Sequence, residues 1–398
     1  MAEAGVIELL QELVALPSVN PVHCPDPKVA NERRMAEYVG RYLERLGFRL
    51  AWDEMSAERC SVIGVYGPDQ PRHTLLLEAH LDTVDVSEMR IPPFTGEIRE
   101  GRMYGRGTCD TKGPMAAALQ ALQPARLEAL AAAGVRLIFA GALGEEHGNL
   151  GAVRLAEQGL GADAAIILEP TELAIVHAHK GVMWFEVELE GETGHGSDPA
   201  KGRNAIVAMT RFMRWLEETL PSGAPPDGTA PLGPPTLNFG RIEGGAAINI
   251  IAGRCRLEVD RRLVPGEDPE KLIGTIRDYL DGLQSEGAIR AYRLRPAKVG
   301  LPFLTPRDAG LVAGLGAAIR GEGREPSVVT ASWYSDAGAF SQTCREVVVF
   351  GPGSIAQAHT SAEFIELDEL LAAQRILERY LTSLAQAMKG HDAGTGIS

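Results

Sequence analysis

The chain has five cysteines, at 24, 60, 109, 255 and 344, and no CxxC pair among them. Their odd number and scatter argue against a disulfide framework and against a thiolate zinc site, and they fit a reducing cytoplasm. No apolar run approaches the ~20 residues that a membrane-spanning helix needs, so no membrane partner is expected. Residues 1–17 lack a basic stretch followed by an apolar one and carry Glu3, Glu8 and Glu12, so they read as an amphipathic helix and not as a leader. Basic residues are also short: 39 Lys and Arg against 53 Asp and Glu give a formal net charge of −14. Nucleic-acid binding draws most of its affinity from clustered Lys and Arg, so no nucleic-acid partner is expected. Small molecules and metal ions remain.

With 398 residues the chain exceeds the roughly 250–300 at which one hydrophobic core stops growing, which predicts two structural units. The first two-fifths alternate: helices at 7–15 and 31–46, strands at 61–66 and 74–79, a small-residue helix after Gly113, a strand at 135–143, a helix at 152–158 and a strand at 164–168. Short, continuous apolar runs of this kind suit a sheet covered on both faces. From about 182 the texture changes to half-buried alternation: strand 182–189, helix 204–220, a Pro-rich loop 221–235, strands 236–242 and 254–261, helix 269–283 and strand 289–294. That β-α-β-β-α-β order predicts a ferredoxin-like unit. After Pro302 the first texture returns, with a helix at 311–319, a strand at 347–350 and a helical tail at 367–387. The expected fold is therefore α/β: a catalytic domain of residues 1–179 and 298–398 with a mixed sheet flanked by helices, and an inserted domain of residues 180–297.

Polar residues follow several predicted strands directly. His80 and Asp82 follow strand 74–79, Glu145 and Glu146 follow 135–143, and Glu169 follows 164–168. In open α/β sheets ligands bind outside the carboxyl ends of the strands, so these groups are delivered to one rim. Asp110, in the loop Gly105-Arg-Gly-Thr-Cys-Asp110 before a helix, can join them, as can His359 beyond strand 347–350 and Gly351-Pro-Gly353. Taken singly, each has a plainer explanation: His80 as a polar strand cap, Glu169 as a turn residue before Pro170, His359 as a surface histidine. Glu145 and Glu146 alone would be a solvated loop pair, yet two adjacent carboxylates after an apolar strand cannot both be buried unpaired without large cost, and a cation resolves that conflict. Two imidazoles with several carboxylates suit a pair of zinc ions.

The segments His80-Leu-Asp82-Thr-Val, Gly105-Arg-Gly-Thr-Cys-Asp110-Thr-Lys-Gly113, Gly144-Glu145-Glu146-His-Gly-Asn-Leu-Gly151, Ile167-Leu-Glu169-Pro and Gln357-Ala-His359 resemble the M20 metallopeptidase family, which includes acetylornithine deacetylase, succinyl-diaminopimelate desuccinylase, aminoacylase and glutamate carboxypeptidases. The resemblance spans nearly the whole chain. It implies that Asp110 bridges two zinc ions, that His80 and Glu169 complete one site, and that Glu146 and His359 complete the other. It leaves Glu145 as general base to a metal-activated water and then as acid to the leaving amine. Asp82 suits the carboxylate that orients a ligating imidazole; without the resemblance it reads as a turn residue. Cobalt or manganese can substitute for zinc in such a ligand set.

Within the inserted domain, Thr193-Gly-His195-Gly-Ser-Asp-Pro199 and Gly202-Arg-Asn204-Ala-Ile resemble the family's lid motif. The resemblance implies a homodimer in which His195 acts on the oxyanion across the subunit boundary, Asn249 and Arg262 hold the substrate carboxylate, and backbone near Gly353 lines the pocket. Arg262 suits bidentate carboxylate recognition, although an edge-strand arginine facing solvent is the alternative. The expected activity is removal of an acyl group from an N-acyl amino acid, in the manner of acetylornithine deacetylase. A dipeptidase or carboxypeptidase is the second expectation, and an inactive binding protein on the same fold is the remote one.

Overall fold

A computed structural model of the chain describes residues 2–22, 24, 26–220 and 232–393, so residues 221–231 of the Pro-rich loop lie outside the described residues. The chain divides into two compact units. The first comprises Met1–Ala178, Leu304–Thr330 and Ser335–Ser398, and the second His179–Phe303 with Ala331–Tyr334.

The large sheet has nine strands, in the order Arg49–Glu54, Cys60–Tyr66, Val135–Ala142, His73–His80, Ala164–Ile167, Glu346–Val349, Ile175–His179 and Phe303–Leu304, with Val328–Ala331 paired to Ile175–His179. Its centre is parallel: His73–His80 runs alongside both Val135–Ala142 and Ala164–Ile167, and Glu346–Val349 runs alongside Ala164–Ile167. Cys60–Tyr66 and Arg49–Glu54 add antiparallel strands on one side, which makes the sheet mixed. The apolar runs of the central strands follow from this placement, because residues 74–80 are buried on both alternating faces. One continuous core joins Leu75, Leu77 and Phe139 of the sheet to Leu10 and Leu13, Met35 and Leu43, Met115 and Leu119, and Leu377 and Leu381 on four helices. The helix predicted at 31–46 runs Glu32–Arg45 and starts where Asn31 accepts the Arg34 N–H at 3.2 Å, satisfying a donor of the first turn.

The second unit has a four-stranded antiparallel sheet in the order Thr236–Gly244, Arg254–Leu263, Gly181–Glu190, Ala291–Gly300. With helices Ala205–Thr219 and Pro269–Ser285 this is the ferredoxin-like β-α-β-β-α-β arrangement. One face of the sheet buries Met183, Phe185, Val187, Leu257 and Val259 against Phe212, Ile276 and Leu280 of the helices. The unit reaches past residue 297 because Ala291–Gly300 stays paired with Gly181–Glu190, across a register shift between Pro296 and Lys298, until Gly300 meets Val182. It takes in residues 331–334, where the Lys180 N–H donates to the Ala331 carbonyl at 3.2 Å and Lys298 Nζ lies 5.2 Å from the Tyr334 ring centre.

Candidate metal centre

Parallel pairing brings the carboxyl ends of four strands level. His80 stands opposite Ala142, Glu78 opposite Ile167, and Ile167 opposite Val349. The residues that follow these ends are therefore neighbours, although Asp82, Glu145, Glu169 and His359 are far apart in sequence.

At this rim His80 Nε2 lies 2.9 Å from Asp110 Oδ1 and 3.9 Å from Glu169 Oε2. His359 Nε2 lies 3.3 Å from Asp110 Oδ2 and 3.1 Å from Glu146 Oε2. Two sets of potential ligands result, His80 with Asp110 and Glu169, and Asp110 with Glu146 and His359, each with its ligand atoms within 4.8 Å of one another. Ligands at roughly 2.0–2.2 Å from a tetrahedral ion stand about 3.3–3.6 Å apart, and the separations of 2.9–3.9 Å in these sets span that range. Asp110 presents one oxygen to each set, and Glu145 belongs to neither.

The charge balance also calls for a cation. Burial, then Asp110, push Glu146 up to about 7. Burial pushes Glu145 and Glu169 well above the ordinary carboxylate range; His80 opposes this, while Asp336 and Asp110 add repulsion at both, Glu146 at Glu145, and Glu145 at Glu169. Burial works against ionisation of Asp110 too, but the bonds from His359 and His80 hold it well below the usual range. His359 is raised to about 10 by its bonds to Asp110 and Glu146. Four carboxylates at one buried rim with two imidazoles for company leave an excess of negative charge that divalent ions neutralise.

Local structure fixes each group. His80 Nδ1 is 3.0 Å from the main-chain oxygen of Asp82 and 3.6 Å from its Oδ1, so the backbone carbonyl takes the nearer side of the imidazole and leaves Nε2 facing Asp110. The Asp82 carboxylate makes further bonds: it accepts the Glu145 N–H at 3.0 Å, the Glu146 N–H at 3.1 Å and the Asn20 amide at 2.7 Å. Asp82 thus anchors the short Glu145–His147 turn as well as His80, a duty that motif position alone did not reveal. Glu146 is steadied by the Val84 N–H, 3.1 Å from Oε1. Behind the turn the Leu150–Glu157 helix starts against the strand end, where a Cβ on Gly151 would stand 2.4 Å from the Leu143 nitrogen; only glycine allows that approach.

Sequence reasoning passed over three supporting residues. Glu363, fully buried, accepts the N–H groups of Cys109 at 2.9 Å and Asp110 at 3.1 Å, and the Arg106 guanidinium at 2.7 Å. It holds the loop that presents Asp110. Asn149 donates from Nδ2 to Glu145 Oε1 at 3.0 Å and to Asp336 Oδ1 at 2.8 Å. Asn149 lies inside a quoted motif and Glu363 shortly after one, whereas nothing in the sequence marks Asp336. Cys109, assigned no role, is buried and directs its thiol at the Ser354 carbonyl, 3.2 Å away.

The remaining residues named from the sequence are placed as follows. Gly353 is buried in the first unit, where its N–H donates to Glu369 at 2.8 Å. His195, Asn249 and Arg262 lie in the second unit. His195 is exposed and bridges to Ile250, and Gly196 donates to the Asn249 carbonyl at 2.8 Å, so His195 and Asn249 are neighbours. His195 Nδ1 lies 2.7 Å from the Ser197 hydroxyl and 3.2 Å from the Ser197 nitrogen, so Ser197 occupies that side of the ring and Nε2 is left for other partners. Arg262 is partly exposed and held by Asp260, with Nε 3.2 Å from Oδ2, whereas its neighbour Arg261 is fully buried on the Leu220 carbonyl at 2.7 Å.

A carboxylate shared between two ligand sets, with an unligated glutamate beside them, is the constellation of a metal-dependent hydrolase. The sequence pattern of Peptidase family M20/M25/M40 matches residues 76–383, and the chain belongs to that family. It is 35% identical over 362 residues to acetylornithine deacetylase from Myxococcus xanthus, covering 87% of this chain and 90% of that one. It is 33% identical over 369 residues to acetylornithine deacetylase from Erwinia tasmaniensis, covering 90% and 92%. Similar solved structures include an M20 family metallo-carboxypeptidase from Sulfolobus solfataricus, with TM-score 0.74 and 21% identity over 96% of this chain and 99% of that one. A dinuclear metal-binding M20 peptidase from Bacillus subtilis has TM-score 0.68 and 15% identity over 96% and 98%. The chain is a hydrolase of amide bonds with a metal cofactor.

Proposed function

We propose that this enzyme removes the acyl group from an N-acyl amino acid, with N-acetylornithine-like molecules as the first substrates to examine. The observation that carries this reading is identity of 31–35% to three acetylornithine deacetylases over 87–96% of the chain. Zinc is the proposed metal, because sets of imidazole nitrogens and carboxylate oxygens suit it. Two ions, held by His80, Asp110 and Glu169 and by Asp110, Glu146 and His359, would polarise the amide carbonyl and lower the pKa of water.

The chain's own groups do the rest. Glu145, close to both ligand sets but in neither, takes a proton on its carboxylate from the attacking water and returns it to the leaving amine nitrogen. His195, with Ser197 on its Nδ1 side, is proposed to donate from Nε2 to the oxygen that gains charge, acting from a partner subunit. Arg262, steadied by Asp260, is proposed to grip the substrate carboxylate, with Asn249 and the backbone at Gly353 beside it. A homodimer is supported by the second unit, where the edge strand Thr236–Gly244 is exposed and Ile206, Val207, Ile242, Ile248 and Ile250 are uncovered. A cytoplasmic setting is supported by five unpaired cysteines.

Amine release from N-acetyl, N-succinyl and N-formyl amino acids and from dipeptides, by zinc-loaded wild type and Glu145→Ala, tests the reading. Turnover of acyl amino acids that the substitution abolishes supports it. Preference for dipeptides moves the enzyme to the peptidase reading, which the carboxypeptidase fold neighbour also favours. No turnover by a fully metal-loaded dimer overturns the deacylase.

A further inference from the structure

The Asn149 side chain is spent in an unusual way. Asn149 precedes the Leu150–Glu157 helix, the position where an asparagine oxygen ordinarily accepts a backbone N–H of the first turn, yet it makes no such bond. Its backbone adopts φ +53, in the left-handed region that asparagine tolerates better than most residues. The side chain is fully buried, its oxygen has no hydrogen-bond partner among the described residues, and both hydrogens of Nδ2 are committed, one to Glu145 at 3.0 Å and one to Asp336 at 2.8 Å. Asp336 repeats the pattern. It precedes the short Ala337–Phe340 helix, makes no side-chain cap, and is 1% exposed. Two residues at cap positions therefore forgo their local bonds and meet each other beneath Glu145.

An amide has a donor end and an acceptor end. Facing one carboxylate alone, Asn149 could swing away or turn its oxygen toward it; facing two from one nitrogen, it is held with that nitrogen between them. We propose that Asp336 and Asn149 are positioning residues for the hydrolytic step: Asp336 locks the Asn149 amide in its donating orientation, and Asn149 fixes the direction of the Glu145 carboxylate. The unbonded oxygen of Glu145 is then the one available for proton transfer. This inference rests on the assignment of Glu145 as the proton-transferring group.

The pair is best interrogated by a double-mutant cycle on the zinc-loaded, full-length enzyme, with Asn149→Ala, Asp336→Ala and the double variant assayed for kcat, KM and bound metal per chain. Asn149→Ala is expected to lower kcat roughly 10–100-fold, the scale of losing an orienting group behind a metal site, while KM and metal content change less than about twofold. Asp336→Ala is expected to lower kcat by a smaller factor, and the double variant to be less than about twofold slower than Asn149→Ala alone, because Asp336 orients Glu145 through the amide; its separate contact with the buried Glu78 is read by thermal melts of the same variants. Asp336→Asn keeps an acceptor oxygen and is expected to recover part of the loss; it serves as the well-folded comparison should the alanine variant lose its structure. Multiplying effects in the double variant, unchanged kcat, or a loss that tracks metal content overturns the proposal. Glu145→Gln is measured alongside. If it keeps full turnover, the role of Glu145 itself falls; if it is inactive while Asn149→Ala is not, only the positioning proposal falls.

Discussion

His359 meets Asp110 on the oxygen opposite to the one that faces His80: Nε2 is 3.3 Å from Oδ2, while His80 Nε2 is 2.9 Å from Oδ1. One carboxylate therefore belongs to both ligand sets, and the two sets should not be independently removable through it. Asp110→Ala is expected to lose both ions, whereas Glu169→Ala and Glu146→Ala should each weaken chiefly one. Metal per chain after dialysis, read by elemental analysis, checks this. Two tightly held ions in Asp110→Ala would refute the shared-ligand arrangement.

Asp82 supports the centre at two places, with its backbone oxygen on His80 and its carboxylate under the Glu145 and Glu146 N–H groups. Asp82→Ala keeps the backbone oxygen but removes the carboxylate, leaving the Glu145 and Glu146 N–H groups and the Asn20 amide without that acceptor. We expect a drop of roughly 10–100-fold in metal affinity or activity, the range seen when groups that orient ligands are deleted. Titration with a competing chelator together with steady-state rates gives the number, and a wild-type result would mean that the turn holds itself.

Asp53 receives the Arg154 guanidinium through two bonds, at 2.7 and 2.8 Å, and the Gln158 amide at 2.9 Å. The Arg154 bonds hold its carboxyl below the ordinary carboxylate range. A carboxyl depressed in the folded state contributes stability above its unfolded pKa, near 4, and that contribution is lost as pH falls through the folded value. Asp53→Asn should therefore melt at lower temperature than wild type at pH 7, with the gap closing as the pH is taken below about 4. A gap that is constant across that range would assign the effect to packing.

Gly353 sits at φ +90, and a Cβ there would stand 2.7 Å from Cys109 Sγ. Gly353→Ala is expected to destabilise the protein by at least about 1 kcal/mol from backbone strain and crowding. Because Cys109 immediately precedes Asp110, metal affinity should fall with it. Cys109→Ala in the same chain should relieve the crowding but not the strained backbone, so partial recovery in thermal melts is the expected sign.

His80, Glu146 and Glu169 stood out in the sequence because they end or closely follow buried strands, which announce themselves as apolar runs; Asp110 and His359 sit farther along loops, and only the resemblance of their motifs grouped them with the rest. The ferredoxin-like unit was legible through alternation, clearest in Arg254–Leu263, whose residues switch between partly exposed and buried along its length. Arg49–Glu54 escaped notice because an edge strand with a single buried residue has no periodicity to detect. Asp336 and Glu363 were illegible as partners for a different reason. A lone carboxylate gives no local sign of what it accepts from, and Glu363 lies 254 residues from the N–H of Cys109.

That separation also sets an order of events during synthesis. Most of the ligand set, His80, Asp110, Glu146 and Glu169, lies in the first 170 residues. The loop bearing the shared carboxylate cannot take its held shape until Glu363 has been made and folded back, and His359 is made only four residues earlier. A partly synthesised chain holds carboxylates that repel one another and nothing yet to arrange them. On the proposed ligand assignment, metal capture would in that sense inspect the finished polypeptide: a product cut short before residue 359 would have neither the second imidazole nor the clasp on Asp110, and is expected to retain less metal than the whole.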